Sequence, residues 1–335
     1  MPTTRPDFPR RRALCGAAAL ALAALAAPVS AATAWPAKPV TLLVGFPPGG
    51  QTDFAARVML ASLQGSLGQA AIIDNKAGVN GNLAAVDVLR APADGYKLLV
   101  GNGSMTIAPH VYTTLGIADP RQLTPIGVML QSALVLVVPA SSPIKTYAQF
   151  VEHVQAKTRA GKGLDYGTGG VGALPHVTME LLRERLGNPA MNHVPYKGSS
   201  PAMTDLIAGR LDAMFDATSV VAPFIKSGQL RALLVTSDKR TPAFPDVPTA
   251  AEAGLKDFSV LSFIGLYGPP GLPADVAAKA NAALNAALKD PTVTKGMLDR
   301  GDEPGSGSAE QLRALTQAQY KTWGEVVKAR NIRAD

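Results

Sequence analysis

The chain of 335 residues has a single cysteine, Cys15, and it lies in an N-terminal stretch that reads as a cleaved leader. The remainder carries no thiol, so disulfides and thiolate chemistry are excluded and the fold must stand on its core. Histidine is scarce too. His110, His153, His176 and His193 are too dispersed for a recognisable ligand spacing, and no metal site is expected. After the leader no apolar run approaches the roughly 20 residues of a membrane span, so the mature protein is expected not to be membrane-embedded. No basic run with interleaved aromatics occurs, which argues against nucleic-acid binding. A G-x-S-x-G elbow is missing, and Asp53 and Asp216, the carboxylates near candidate loop ends, belong to different halves of the chain.

What is present begins with Arg5, Arg10, Arg11 and Arg12, an Ala/Leu-rich run from Ala13 to Ala27, and then small residues. This is the pattern of a secretory signal peptide over residues 1–34, cleaved after Ala34 or, as a second candidate, after Ala31. The three consecutive arginines also hint at the twin-arginine route, held second to the general secretory route. Leu14 stands where a lipoprotein signal wants a small residue, so the product is expected free in the periplasm. Losing four arginines and one aspartate lowers the formal charge from +7 to +4, a mild field that suits small anions.

The mature length and 47 % apolar content suffice for two domains. The strand Val40–Val44, a helix over Phe54–Leu67, a strand at Ala71–Ile73, a glycine-rich loop at Gly78–Gly81, a helix over Leu83–Arg90 and a strand at Tyr96–Val100 give a βαβ rhythm. The apolar run Ala133–Pro139 predicts a buried strand and a crossing to a second domain. The rhythm then restarts through a helix at Tyr147–Lys157, strands at Leu164–Tyr166, His193–Tyr196, Ala213–Phe215 and Leu230–Thr236, and helices at Pro175–Leu186 and Pro201–Gly209. Leu261–Tyr267 reads as the return strand, and helices at Ala274–Leu288 and Ala309–Lys328 are expected to pack back on the first domain. The fold class is α/β with two lobes, each a mainly parallel sheet flanked by helices. Lobe 1 comprises residues 35–133 plus 262–335 and lobe 2 residues 134–261. Ligands in such sheets bind at strand carboxyl ends, which places a cleft between the lobes.

Two loops stand at those ends. Phe46-Pro47-Pro48-Gly49-Gly50-Gln51-Thr52-Asp53 joins a strand to a helix start, where free backbone N–H groups and the positive end of the helix dipole suit a carboxylate. Gly167-Thr168-Gly169-Gly170-Val171-Gly172 matches the dinucleotide pattern G-x-G-x-x-G, yet the acidic residue expected about 20 positions on is missing. It is taken as the second lobe's own anion-facing turn, and no cofactor is expected. Ser104 is favoured as a hydroxyl donor to a ligand, and His176 falls where it would face the cleft.

Trp35-Pro36-Ala37-Lys38-Pro39, the stretch from Gly45 to Arg57, Asp94-Gly95-Tyr96-Lys97-Leu98-Leu99, Val194-Pro195-Tyr196-Lys197-Gly198-Ser199-Ser200-Pro201-Ala202 and Phe244-Pro245-Asp246-Val247-Pro248-Thr249 together strongly resemble the extracytoplasmic solute receptors of tripartite tricarboxylate transporters, also known as Bug-type receptors. The resemblance implies a monomeric periplasmic binding protein of the type II-like, two-crossing kind. It would close on a small organic carboxylate without catalysis, and a membrane permease or a sensor ectodomain would be its partner. It also implies a carboxylate held by backbone N–H groups, hydroxyls and ordered water. By position the ligand-binding residues would be Phe46, Pro48, Gly49, Gly50, Asp53, Asn102 and Ser104 from the first lobe, with Thr168, Gly170, His176, Tyr196, Gly198 and Asp216 from the second. Ala173-Leu174-Pro175 departs from the small polar residues common there and implies a more apolar wall for the distal part of the ligand. The alternative from another class is a secreted α/β hydrolase acting on a small anionic or ester substrate.

Overall fold

Strand β1 (Val40–Val44) is buried at every position but Thr41, because helices cover both faces of its sheet. Leu42 and Val44 join Met59 and Leu63 in one apolar cluster, while Leu43 joins Leu99, Ala84 and Val88 in another. This is the period-two alternation of a strand. The computed structural model describes residues 1–3 and 35–334; all of the expected leader but its first three residues lies outside the described residues. In chain order β1 is followed by α1 (Gln51–Leu67), β2 (Ala71–Asn75), α2 (Asn82–Leu89), β3 (Lys97–Asn102), α3 (Ser104–Val111), β4 (Thr124–Pro139), α4 (Tyr147–Arg159) and β5 (Leu164–Thr168). Then come α5 (Leu174–Arg185), β6 (Met191–Pro195), α6 (Ser199–Ile207), β7 (Ala213–Ala217), α7 (Thr218–Lys226) and β8 (Leu230–Val235). The chain closes with β9 (Leu261–Gly268), α8 (Ala274–Lys289), α9 (Pro291–Leu298), β10 (Glu303–Pro304) and α10 (Ala309–Ala329).

The strands follow the order β2-β1-β3-β9-β4-β7-β5-β6, with β8 and β10 pairing to β4 off this path. β2, β1 and β3 are mutually parallel, as are β6, β5 and β7; the strands that cross between the lobes, β9 and β4, run antiparallel to their neighbours. β4 threads both lobes. Its first half, Thr124–Ala133, pairs with β9, and from Leu134 onward its partners are β7 and β8. At the switch the Thr236 hydroxyl oxygen accepts from the Leu134 N–H (2.9 Å) and its proton goes to the Val260 carbonyl (2.6 Å), tying both crossing segments together.

The strand expected at Ala133–Pro139 is thus the second half of a strand of 16 residues. Its first half escaped notice because Pro125, Gly127 and Gln131 break the apolar run. Helices α3, α7 and α9 were also not anticipated. Pro109 and Pro223 lie inside the first two and Gly296 inside the third, yet burial of Ile107, Val111, Val221 and Met297 overrides poor intrinsic propensity. Helix α10 packs on the first lobe through Leu312, as expected, but its far end does more. Trp323 and Val327 join the apolar cluster of the second lobe, and Arg330 pairs with Glu184 of α5. Among the described residues no helix is long and apolar enough to cross a membrane.

Candidate functional site

The N-cap of α1 is Gly50, three residues earlier than the sequence pattern implies, so Gln51, Thr52 and Asp53 form the first turn. The first intrahelical bond runs from Phe54 N–H to Gly50 O (2.9 Å), which leaves the N–H groups before it without helical partners. Gln51 and Thr52 face a cavity of about 50 Å³ at the joint of the two lobes. The starts of α3 (Ser104), α5 (Leu174), α6 (Ser199) and α7 (after Asp216 and Ala217) line the same cavity, so five helix N-termini converge on it. The geometry follows from topology: parallel strands deliver every following helix start to the same edge of the sheet. No lysine, arginine or histidine lines this space, so the donors that favour an anion there are the backbone N–H groups and dipoles of the helix starts.

The polar side chains around it are mostly spoken for. Asn102 Nδ2 donates to Thr52 Oγ1 (3.2 Å) and its Oδ1 accepts from Ser104 N–H (3.1 Å). The Ser262 hydroxyl donates to Gln51 Oε1 (2.7 Å). Ser104 Oγ accepts from the Leu174 N–H of the other lobe at 3.1 Å, so the residue favoured as a ligand donor also bridges the lobes. Asp216 lies at the end of β7, its Oδ1 accepting from Ala217 N–H (2.8 Å), and burial pushes its carboxyl up to about 6 against the opposing pull of Ser199 and that N–H. Leu134, Ala173, Leu174 and Pro175 form the apolar part of this lining.

A second, larger cavity of about 530 Å³ adjoins the first, sharing Phe46, Pro47, Gly169 and Gly198, and opens between the loops at 77–81, 169–171 and 195–198. The lobes touch around it. Asn80 Nδ2 (2.5 Å) and Tyr112 OH (3.0 Å) both donate to the Val171 carbonyl, and Ser200 Oγ donates to Pro48 O (3.0 Å). The cleft is therefore closed.

Of the residues expected to bind ligand, Phe46, Gly50, Asn102, Ser104, Gly198 and Asp216 line the inner cavity, and Gly170 and Tyr196 line the outer one. The rest are placed elsewhere. Asp53 turns its carboxylate onto Gly49 N–H (2.9 Å), Arg57 Nε (2.9 Å) and Asn75 Nδ2 (3.0 Å), so it braces the loop and occupies the Gly49 donor. Pro48 makes its contact through its carbonyl, to Ser200. The second glycine loop is also turned inward rather than toward an anion. Gly170 N–H donates to Thr168 Oγ1 (3.2 Å) and Gly172 N–H to His176 Nδ1 (2.9 Å). His176 is buried, stacked on His193 with ring centres 3.8 Å apart, and burial pushes its imidazole down to about 4; it braces the loop and does not line the cavity. Thr168 likewise serves the loop and His193 Nε2 (2.6 Å). Gln51, Thr52, Ser199 and Ser262 were missed as lining residues. The first two sit beside Gly50 in the motif, in a helical turn that begins earlier than the expected start at Phe54; no local signal marks Ser262, which reaches the site only through the return strand.

These features define a two-lobed α/β binding protein. The model of the tripartite tricarboxylate transporter family receptor matches residues 55–332, and the chain belongs to that family of periplasmic solute-binding receptors, which are not enzymes. It is similar to the periplasmic binding protein BugD (32 % identical, TM-score 0.83, spanning 90 % of this chain and 100 % of that one). It is similar also to Rpa4515 of R. palustris, solved with adipate (33 %, TM-score 0.84, 90 % and 100 %), and to MatC (Rpa3494) of Rhodopseudomonas palustris, solved with bound malate (32 %, TM-score 0.81, 88 % and 100 %).

Proposed function

We propose that this chain captures a small organic carboxylate between its lobes in the periplasm and delivers it, as a monomer, to a tripartite tricarboxylate-type permease or to a sensor. The observation that carries this reading is the convergence of five helix N-termini on one cavity whose lining holds no cationic side chain. Each such terminus favours an anion by about 0.3–1 kcal/mol, more when partly buried. Adipate and malate, present in the two related structures, are both small carboxylates. The lobes are taken as residues 35–133 with 262–335 and residues 134–261, supported by the change of β4 partners between Ala133 and Leu134. A ligand touching both lobes stabilises the closed state by its differential affinity, which is all the work a receptor of this kind performs. Export by a leader cleaved near Ala34 belongs to the same reading.

A thermal-shift screen tests it. A bound ligand raises apparent stability by about 2.7 kcal/mol at a hundredfold excess over Kd. One or a few carboxylates should stabilise the protein, whereas sugars and polyamines should not. Stabilisation by neutral or cationic compounds alone would sink the reading.

A further inference from the structure

The inner cavity is lined by one ionisable side chain, and that side chain is an acid. Asp216 is 3 % exposed, and while its Oδ1 accepts from the Ala217 N–H and the Ser199 hydroxyl also acts on the carboxyl, its Oδ2 has no hydrogen bond of good geometry. Gln51, from the other lobe, is 8 % exposed; its Oε1 is fixed by Ser262, and its Nε2 also lacks a partner. Two residues that line the same small space, one from each lobe, thus carry a buried acceptor and a buried donor that are left unmade. Buried polar groups are costly in that state, so the pair calls for a ligand carrying both complements.

We propose that the ligand is a compact carboxylate bearing a hydroxyl or ammonium donor a few atoms from its carboxylate, and that Asp216 Oδ2 takes that donor while Gln51 Nε2 and the start of α1 hold the carboxylate. This deepens the carboxylate reading above and rests on it. A plain dicarboxylate fits less well. Its second charge finds no cation in the lining and comes up against the Asp216 carboxyl at short range, where like charges in a water-poor cavity repel strongly. A hydroxyl satisfies Oδ2 as a neutral donor, and an ammonium satisfies it with charge as well. Because Gln51 and Asp216 belong to opposite lobes, such a ligand also spans the cleft.

Calorimetry on the purified protein with three matched carbon skeletons tests this: propionate, lactate and alanine; succinate, malate and aspartate; glutarate, 2-hydroxyglutarate and glutamate. On the skeleton that binds, the hydroxylated or aminated member should bind at least about tenfold tighter than its parent acid, and the two arms tell which donor Asp216 prefers. The near-isosteric Asp216→Asn should shrink that ratio to about twofold, since an amide accepts the donor only weakly. A parent acid binding as tightly as its substituted partners, or a ratio that survives Asp216→Asn in a folded protein, overturns this inference and leaves the carboxylate reading standing. Should the variant fail to fold, the ratio in the natural protein decides alone. Silence of all these acids overturns this inference, and the wider thermal-shift screen then decides the carboxylate reading by itself.

Discussion

The Gly49 N–H donates to Asp53 Oδ2 at 2.9 Å, so the donor most exposed by the glycine turn is already spent within the loop that precedes the site. Asp53 also receives Arg57 and Asn75, and these bonds hold its carboxyl below its ordinary value although burial alone would raise it. Asp53→Ala should therefore destabilise the fold by about 1–3 kcal/mol in urea titration and weaken ligand binding by loosening the turn. Since the folded-state value is depressed, this contribution is present above the ordinary aspartate range and is lost as the pH falls through the folded value. A variant as stable as the natural protein at neutral pH would contradict the bracing role.

The two glycines of this turn are not equivalent. Gly49 has φ +91°, and a Cβ there would stand 2.9 Å from Ser200 Oγ of the opposing lobe; Gly50 has φ −82° and ψ 173°, and a Cβ there meets nothing within 4 Å. Gly49→Ala should cost about 1 kcal/mol in backbone strain and resist closure, whereas Gly50→Ala should leave stability within about 0.5 kcal/mol of the natural protein. Denaturation curves of the two variants decide between them. Equal losses would refute the distinction.

Closure itself depends on Gly198. With φ +109°, it lets Pro47 of the first lobe approach so closely that a Cβ would lie 2.8 Å from Pro47 Cδ. Gly198→Ala should fold but close incompletely, with ligand affinity reduced at least about tenfold. Small-angle scattering of the ligand-saturated variant should show a larger radius of gyration than the ligand-bound natural protein; identical radii would exclude the clash as a closure barrier.

Asp216 sets the pH dependence expected of the site. Its buried carboxyl is pushed up to about 6, and no other ionisable group lines the cavity. In the free protein a raised acid value means stability is present at low pH and is lost as the pH rises toward about 6, where the buried group must ionise. A hydroxyl or ammonium donor favours the ionised form, so binding should release up to one proton below about pH 6 and weaken by at most about tenfold per further pH unit of acidification. Calorimetry in two buffers of different ionisation enthalpy counts that proton. Affinity that strengthens toward pH 5 would show Asp216 acting as a neutral acid instead.

The alternation of strand and helix, the glycine turn after β1 and the polar loops at strand ends were all legible in the sequence, because periodicity and turn chemistry are local properties of a few neighbouring residues. So was the family, through motifs spread along the chain. The segments that escaped, the first half of β4 and helices α3, α7 and α9, carry proline, glycine or polar interruptions that only burial in a finished core overrides.

The site divides in the same way. That Gly50 and Asp216 stand at loop ends is a matter of spacing, but that Asp53 turns onto Gly49 while Asp216 keeps one buried oxygen without a hydrogen bond depends on which neighbours the folded chain brings near each carboxylate. His176 shows the limit plainly. Sequence places it in the first turn after a glycine loop, whereas the fold stacks its ring on His193 from the adjoining strand and has it accept from the Gly172 N–H, out of the cavity lining. Ser262 joins Gln51 across 211 residues of chain, a contact made by the return of β9 beside β3. Local pattern determines where elements begin and which faces are apolar; side-chain direction and pairing across the lobes are long-range, and they were decided by the tertiary structure alone.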